Sequence, residues 1–343
     1  MKNKKILIIG GTGFVGSWLS IFFKFLNANV EVIGLKDNKI NKISSSIIFK
    51  KKIKCHYINI KDKKKILKVC KKFKPEIIFH LASEAIVINS YKNIFKTFKT
   101  NVNYTINIFE IFKTEKYIKK IIIFTSDKVY KNNSNIYLSE DDALGGDDPY
   151  SCSKSCQDLV AQMYQNQIKG KIIHIIRAGN IFGGGDFGDY RLIPDVYKNL
   201  KSRKTTLIRS PLSIRPWQHI FDICIKFDKL VKYNKKNLIV NLGPPKKYQK
   251  NVRYILDQIL KINKNKNKIK LKFVNNHKKF EEKKVLKLNS NKANFVFGKN
   301  IISLDKGIQY TDNWYKSFLL NNEDSFIITE NQIKFFFTMI NGK

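Results

Sequence analysis

Two groups of residues have the types and spacing to do chemistry. The first is Tyr150-Ser-Cys-Ser-Lys154. On a helix, positions i and i+4 share a face, so this phenol and this ammonium stand together. A nearby cation lowers a tyrosine pKa from about 10 toward working pH. Such a phenol can take a proton from an alcohol while hydride leaves the same carbon. Pro149, just before it, suits the first turn of a helix. Upstream, an apolar run ends in Thr125-Ser126-Asp127, and Ser126 would hydrogen-bond the same oxygen. The second group is Gly10-Gly-Thr12-Gly13-Phe14-Val15-Gly16. Its glycines let the backbone turn tightly and approach a pyrophosphate, and the helix that follows offers free N–H groups there. A glycine loop alone says little. A strand before it and a helix after it, in a βαβ unit, point to dinucleotide binding. The residue that reads the ribose stays open: Asp37 would favour a free 2′-hydroxyl and NAD, whereas Lys36 would meet a 2′-phosphate.

Those groups need a scaffold. Ile6–Ile9, Val30–Gly34, Cys55–Ile58, Ile77–Leu81, Ile121–Phe124 and Ile172–Ile176 are near-continuous apolar runs, as parallel strands covered on both faces must be. Asp62–Phe73, Ile94–Phe112 and Tyr150–Gln167 read as helices between them. The alternation predicts an α/β fold: a Rossmann-type, doubly wound parallel sheet with a smaller C-terminal substrate-binding domain. The expected division is a dinucleotide-binding domain over 1–178, with a return segment near 216–242, and a second domain over 179–343. Asn263–Lys270, rich in Asn and Lys, reads as an exposed turn.

Composition bounds the rest. The 343 residues carry a formal charge of +38. That imbalance raises nucleic acid or membrane as partners. However, only six of the 65 basic residues are Arg, the fork-shaped donor that phosphate and base edges favour. Lysine is scattered among Asn, Ile, Phe and Tyr, all residues with A/T-rich codons, so the charge reads as solvated surface. No apolar run is long enough to span a bilayer. Five cysteines, with no CxxC, suit reduced thiols in a cytoplasm rather than a disulfide frame or zinc site. Hence neither nucleic acid nor membrane is expected as a partner, and no metal. His80 and His219 read as core histidines, and Trp217 as packing.

The glycine loop, Phe79-His-Leu-Ala82, Ser126 and the Tyr150/Lys154 pair together resemble the extended short-chain dehydrogenase/reductase family, in its branch acting on nucleotide sugars. Further segments resemble the 4,6-dehydratases that act on CDP-glucose. These are Thr125-Ser-Asp-Lys-Val-Tyr130, Arg177-Ala-Gly-Asn180, Gly183-Gly-Gly-Asp186, Arg191-Leu-Ile-Pro-Asp195, Arg215-Pro-Trp-Gln-His219 and Leu286-Lys-Leu-Asn-Ser290. The resemblance implies an NAD cofactor held by Gly10, Thr12, Gly13, Phe14, Val15, Gly16, Asn59, Ile60, Leu81, Ala82, Thr100, Tyr150 and Lys154. It implies a nucleotide-sugar substrate at Glu84, Ser126, Asn180, Arg191 and Arg215, and a homodimer paired through the helices containing Phe98–Phe112 and Tyr150–Gln167. Arg215 is also the first choice for a pyrophosphate on chemical grounds, since a guanidinium can meet phosphate bidentately.

A 4,6-dehydration oxidises C4, expels water across C5–C6 and returns the hydride to C6. Its middle step needs an acid for the leaving hydroxyl and a base for C5. Asp127 is the expected acid, provided burial keeps it protonated. Lys128 is the expected base if buried near Lys154; otherwise Asp127 does both jobs. Four positions depart from the family pattern: Gly11 for His, Val15 for Lys, Asn59 for Asp and Glu84 for Gln. A nucleotide-sugar 4-epimerase competes, since it keeps the loop, Ser126 and Tyr150 but needs no acid and base at 127–128. A silent protein that binds dinucleotide or polyanion competes from outside the enzymes.

Overall fold

The computed structural model describes residues 1–36, 41–131, 135–263, 269–274 and 284–342. The expected runs become β1 (Lys5–Ile9), β2 (Asn29–Gly34), β3 (Lys54–Tyr57), β4 (Ile77–His80), β5 (Lys120–Phe124) and β6 (Ile172–Ala178). A short β7 (Asn180–Phe182), β8 (Thr205–Ile208) and β9 (Ile214–His219) follow, then β10 (Leu238–Leu242), β11 (Gln249–Asn251) and β12 (Lys270–Phe273). Seven strands form one sheet in the order β10-β6-β5-β4-β1-β2-β3, and every pairing in it is parallel. The reversal of direction at β1 places the glycine loop at a topological switch point, where open α/β sheets take their ligands.

Both faces of the sheet are covered, which is why its strands are apolar throughout. Along β1, Ile6 and Ile8 join one core cluster, with the helices Phe14–Phe25 and Ile220–Lys232. Leu7 and Ile9 join the other, with the helices Lys63–Phe73, Tyr104–Thr114 and Pro149–Gln167. The two-residue strand period sends neighbours to opposite faces, so each needs its own apolar layer.

Three sequence expectations change. The seventh strand, β10, is LIVNL, too short a run among Lys and Asn to stand out. It lies beside β6, so the chain re-enters the sheet after residue 216. The helical stretch 94–112 is not uniform: Ile94–Phe98 and Tyr104–Thr114 flank a wide π-helical turn at Lys99–Asn103. Such turns break the helical register and recur at functional sites. This one turns Asn101 fully inside. Third, Asn263 is buried and donates to Asp312 at 3.0 Å; residues 264–268 lie outside the described residues.

Outside the main sheet, β11-β9-β7 form a three-stranded sheet and β12-β8 a pair. They stand on the side where β1, β4 and β5 end, and wall off a cleft. Among the described residues, no helix is long and apolar enough to cross a membrane.

Candidate active site

A cleft of about 1910 Å³ runs from the glycine loop to β9. It is lined by every residue that the resemblance assigns to cofactor or substrate, from Gly10 to Arg215, and by Asp127 and Lys128. Asp37 lies outside the described residues, and Lys36 is exposed and does not line the cleft.

The glycine end is built for close approach. Gly10 has φ +93°, and a Cβ there would lie 2.6 Å from the Ala82 nitrogen. A Cβ on Gly16 would lie 2.3 Å from the Gly10 oxygen. Any side chain would therefore push the loop off β4. Gly13 caps the helix Phe14–Phe25 without a side-chain hydrogen bond, so the cap residue does not compete for its first N–H groups. An anionic diphosphate fits that vacancy chemically. Asn41, which the sequence reading passed over, braces the loop from behind. Its Nδ2 donates to the Thr12 and Gly13 carbonyls at 2.9 and 3.1 Å. It gives no local signal, because its partners lie 29 and 28 residues away. Asn59 and Ile60, after β3, and Leu81 and Ala82, after β4, line the walls beside the loop; Thr100 comes from the π-turn.

The reactive end gathers at the tip of β5 and the first turn of Pro149–Gln167. Asp148 starts that helix by accepting from the Ser151 nitrogen at 3.0 Å, and Pro149 takes the first position, where its missing N–H costs nothing. Tyr150 is thereby set near Ser126, whose side chain favours the phenolate. Ser126 Oγ donates to Asp127 Oδ1 at 3.1 Å, while Asp127 Oδ2 is buried without a partner. Burial raises the Asp127 carboxyl above its ordinary value, against the pull of Lys128, Ser126 and Arg215. It is the environment that the acid role requires.

Two expectations about cations are corrected. Lys154 shares the face of Tyr150, but its ammonium turns inward, donating to the Phe124 carbonyl at 3.2 Å and to Gln157 Oε1 at 2.9 Å. Burial lowers it to about 7. Tyr150 is pushed up to about 12 by burial, and the groups that oppose this are Ser126 and Arg191. The i, i+4 spacing fixes which face a lysine shares, not where its four-carbon stem ends. Lys128 is half-buried rather than buried, and its Nζ sits 5.9 Å from the centre of the Tyr150 ring.

On the far wall, Arg191 caps the helix Leu192–Lys201 and pairs with Asp186 Oδ2 at 2.8 Å, which holds its pKa up. Arg215, on β9, is buried and donates to the Ile214 carbonyl at 2.9 Å. Asn180 stands on β7 beside it. Glu84 is held through its backbone nitrogen by Asn101 Oδ1 at 2.8 Å, with its carboxylate 3.8 Å from Lys96 Nζ. Arg177 does not line the cleft; it is buried on Asp158. His80 and His219 are fully enclosed and lowered to about 3 by burial, and Trp217 packs on Phe182 while donating to the Lys250 carbonyl.

The chain is similar to known proteins. The family model described as GDP-mannose 4,6 dehydratase matches residues 7–302. The CDP-glucose 4,6-dehydratase of Salmonella typhimurium is 33% identical over 273 residues, covering 76% of each chain. The dTDP-D-glucose 4,6-dehydratase of Dictyostelium discoideum is 31% identical over 70% of this chain and 58% of its own. The solved structure of the Bacillus anthracis dTDP-glucose 4,6-dehydratase in complex with NAD superposes with a TM-score of 0.79. It covers 95% of this chain and 99% of its own at 21% identity, a likeness of fold. Sequence match over most of the chain and a shared sheet topology lead to one assignment: the chain belongs to the nucleotide-sugar 4,6-dehydratase family of extended short-chain dehydrogenases/reductases.

Proposed function

We propose that the protein converts CDP-glucose to CDP-4-dehydro-6-deoxyglucose and water, with NAD as cofactor. The observation that carries this reading is Asp127: a buried carboxyl with one unpartnered oxygen, next to Ser126 and in one cleft with Tyr150. A 4-epimerase never expels water and has no use for it. CDP as the nucleotide, and the cofactor, rest on the Salmonella relative and on the glycine cradle.

In this mechanism the Gly10–Gly16 loop, Asn59, Ile60, Leu81, Ala82 and Thr100 hold the dinucleotide. Arg215, Arg191, Asn180 and Glu84 hold the nucleotide sugar. When bound, NAD supplies a hydride acceptor at C4 and a hydride donor at C6. Tyr150 takes the proton of the C4 hydroxyl, and Ser126 and Arg191 favour the resulting phenolate. The C4 ketone acidifies C5–H. Asp127 gives its proton to the C6 hydroxyl, which leaves as water, and, with Lys128 only half-buried, the Asp127 carboxylate takes the proton from C5. As hydride returns to C6, C5 takes its proton back from the base, and the proton that Tyr150 took from the C4 hydroxyl replaces the one that Asp127 gave to the leaving water.

A homodimer and a cytoplasmic location belong to the same proposal. Leu159 and Met163 are exposed one turn apart on Pro149–Gln167, as is Phe95 at the start of the neighbouring helical stretch, which supports pairing through these helices. The five cysteines are free, which supports a reducing compartment.

The test is incubation with NAD⁺ and each of CDP-, dTDP-, UDP- and GDP-glucose, read by mass. Loss of one water from CDP-glucose is expected. Loss from another nucleotide sugar alone would change the substrate, and an epimer of unchanged mass would overturn the reaction.

A further inference from the structure

Behind Lys154 lies a chain of hydrogen bonds whose direction can be worked out. Thr105 Oγ1 donates its only proton to the Asn101 carbonyl at 2.8 Å. It must therefore accept from both other neighbours, His80 Nε2 at 2.8 Å and Gln157 Nε2 at 2.9 Å. That fixes the Gln157 amide, with its nitrogen toward Thr105 and its oxygen toward Lys154 Nζ at 2.9 Å. It also fixes the proton of His80 on Nε2 and leaves Nδ1 bare, in agreement with the missing partner at that atom. Thr105, Gln157 and His80 are buried to within a few per cent. Two of the three Lys154 N–H groups are thus committed inward, to Phe124 and Gln157, and the third is left for the cleft that Lys154 lines.

We propose that Gln157 is a positioning residue: locked by Thr105 and His80, it holds the Lys154 ammonium in one place and in its charged form, ready for the cofactor's ribose and for Tyr150. The proposal rests on the reading of Tyr150 and Lys154 as the reactive pair. Without an acceptor, burial alone would strip the proton from this lysine. A fixed acceptor keeps the proton on the lysine to higher pH, and the third N–H has one direction. The titratable groups sharing the site are Asp158 and Tyr150 on the same helix, His80 on β4, and Asp127 and Lys128 after β5. Asp158 favours the charged lysine but is already committed to Arg177.

The test follows NAD⁺ affinity of the full-length protein against pH, by tryptophan quenching, in the wild type, Gln157→Met and Gln157→Glu. The wild type should lose affinity as Lys154 deprotonates. Gln157→Met keeps the volume but removes the acceptor, so that loss should move to lower pH by about one unit, a tenfold change in the proton equilibrium. Gln157→Glu adds a charge and should move it to higher pH. Thr105→Val, which unlocks the amide, should follow Gln157→Met with a smaller displacement. Opposite movements support positioning through charge. Unmoved profiles, movements in one direction, or a flat wild-type profile would overturn it, because a packing role changes melting temperature and not the titration. Absence of CDP-glucose turnover in the wild type would sink the proposed reaction and leave this binding readout intact.

Discussion

Two buried charged clusters lie within one helix of each other, and they are built on opposite plans. In the first, Arg177 meets Asp158 with two hydrogen bonds, at 2.9 and 2.8 Å, and Thr125 and Gln162 supply one more to each carboxylate oxygen. The remaining guanidinium contacts go to the Tyr130 hydroxyl and the Glu140 carbonyl. In the second, Asp127 keeps one oxygen bare, burial outweighs the pull of Ser126 and Arg191 on Tyr150, and Lys154 has a spare N–H. The difference teaches how a protein separates holding from reacting. A satisfied cluster is rigid and has nothing left to offer. An unsatisfied one is costly to bury, and it is tolerated where a ligand can complete it.

The largest effect expected from this contrast is in the unsatisfied cluster. Removing the base with Tyr150→Phe should lower turnover by about 10²–10⁴-fold, with a melting temperature close to the wild type, because the ring and its packing are kept. Asp127→Asn should cut dehydration by a similar factor and leave the fold equally stable or more so, since a neutral amide replaces a carboxyl with an orphan oxygen. A large loss of stability in either variant would break the contrast.

The satisfied cluster should respond the other way. Arg177→Met leaves the Asp158 charge buried and alone, a change that costs about 3–5 kcal/mol. Urea unfolding should show it as a lower midpoint. Arg177→Met combined with Asp158→Asn should recover most of it, because the stranded charge is then gone. If the double variant is no more stable than the single one, Arg177 acts through packing on Tyr130 and not through its charge.

A smaller effect concerns Lys128, whose position is intermediate: half-buried, beside Tyr150, and contributing to the field on Asp127. With Asp127 as the base, Lys128→Met should leave solvent-deuterium exchange at C5 in place, whereas a loss of about 10²-fold would make Lys128 the base.

The sequence made the second cluster legible and hid the first. Tyr150 and Lys154, Ser126 and Asp127, and the glycine loop are matters of local spacing, and the apolar runs fix the strands that carry them. Arg177 and Arg215 are the same residue type at the ends of adjacent segments. Only the fold shows that Arg177 meets Asp158, nineteen positions away, while Arg215 opens on the cleft. Gln157 and Thr105 are likewise ordinary helical residues until two helices bring them together across 52 positions. Where Lys154 ends was equally out of reach, since a spacing rule places a Cβ and not an ammonium.

Asp222 sharpens the contrast further. Like Asp127 it is buried, with one oxygen unpartnered and a carboxyl raised by burial, here to about 6. It does not line the cleft; its other oxygen accepts from the Ile301 and Ile302 nitrogens at 2.7 and 3.3 Å, pinning that segment to the helix Ile220–Lys232. An unsatisfied oxygen is therefore a sign of chemistry only where a ligand can reach it. The stability record should show the difference. A carboxyl raised above its unfolded value of 3.8 is bound to its proton more tightly in the folded state. Its contribution is complete below that value and is lost as pH rises through about 6. The full displacement corresponds to about 3 kcal/mol. Asp222→Asn keeps the acceptor for the two backbone N–H groups and removes the titration. At pH 7 the variant should be more stable than the wild type by about 1–3 kcal/mol, the lower figure allowing for the lost attraction to Lys226. At pH 4 the two should converge. Other carboxyls titrate across the same range in both proteins, so the difference between their urea midpoints isolates Asp222. A difference that does not grow with pH would mean that Asp222 is charged throughout, held so by Lys226, and that it belongs with Asp158 among the satisfied ions.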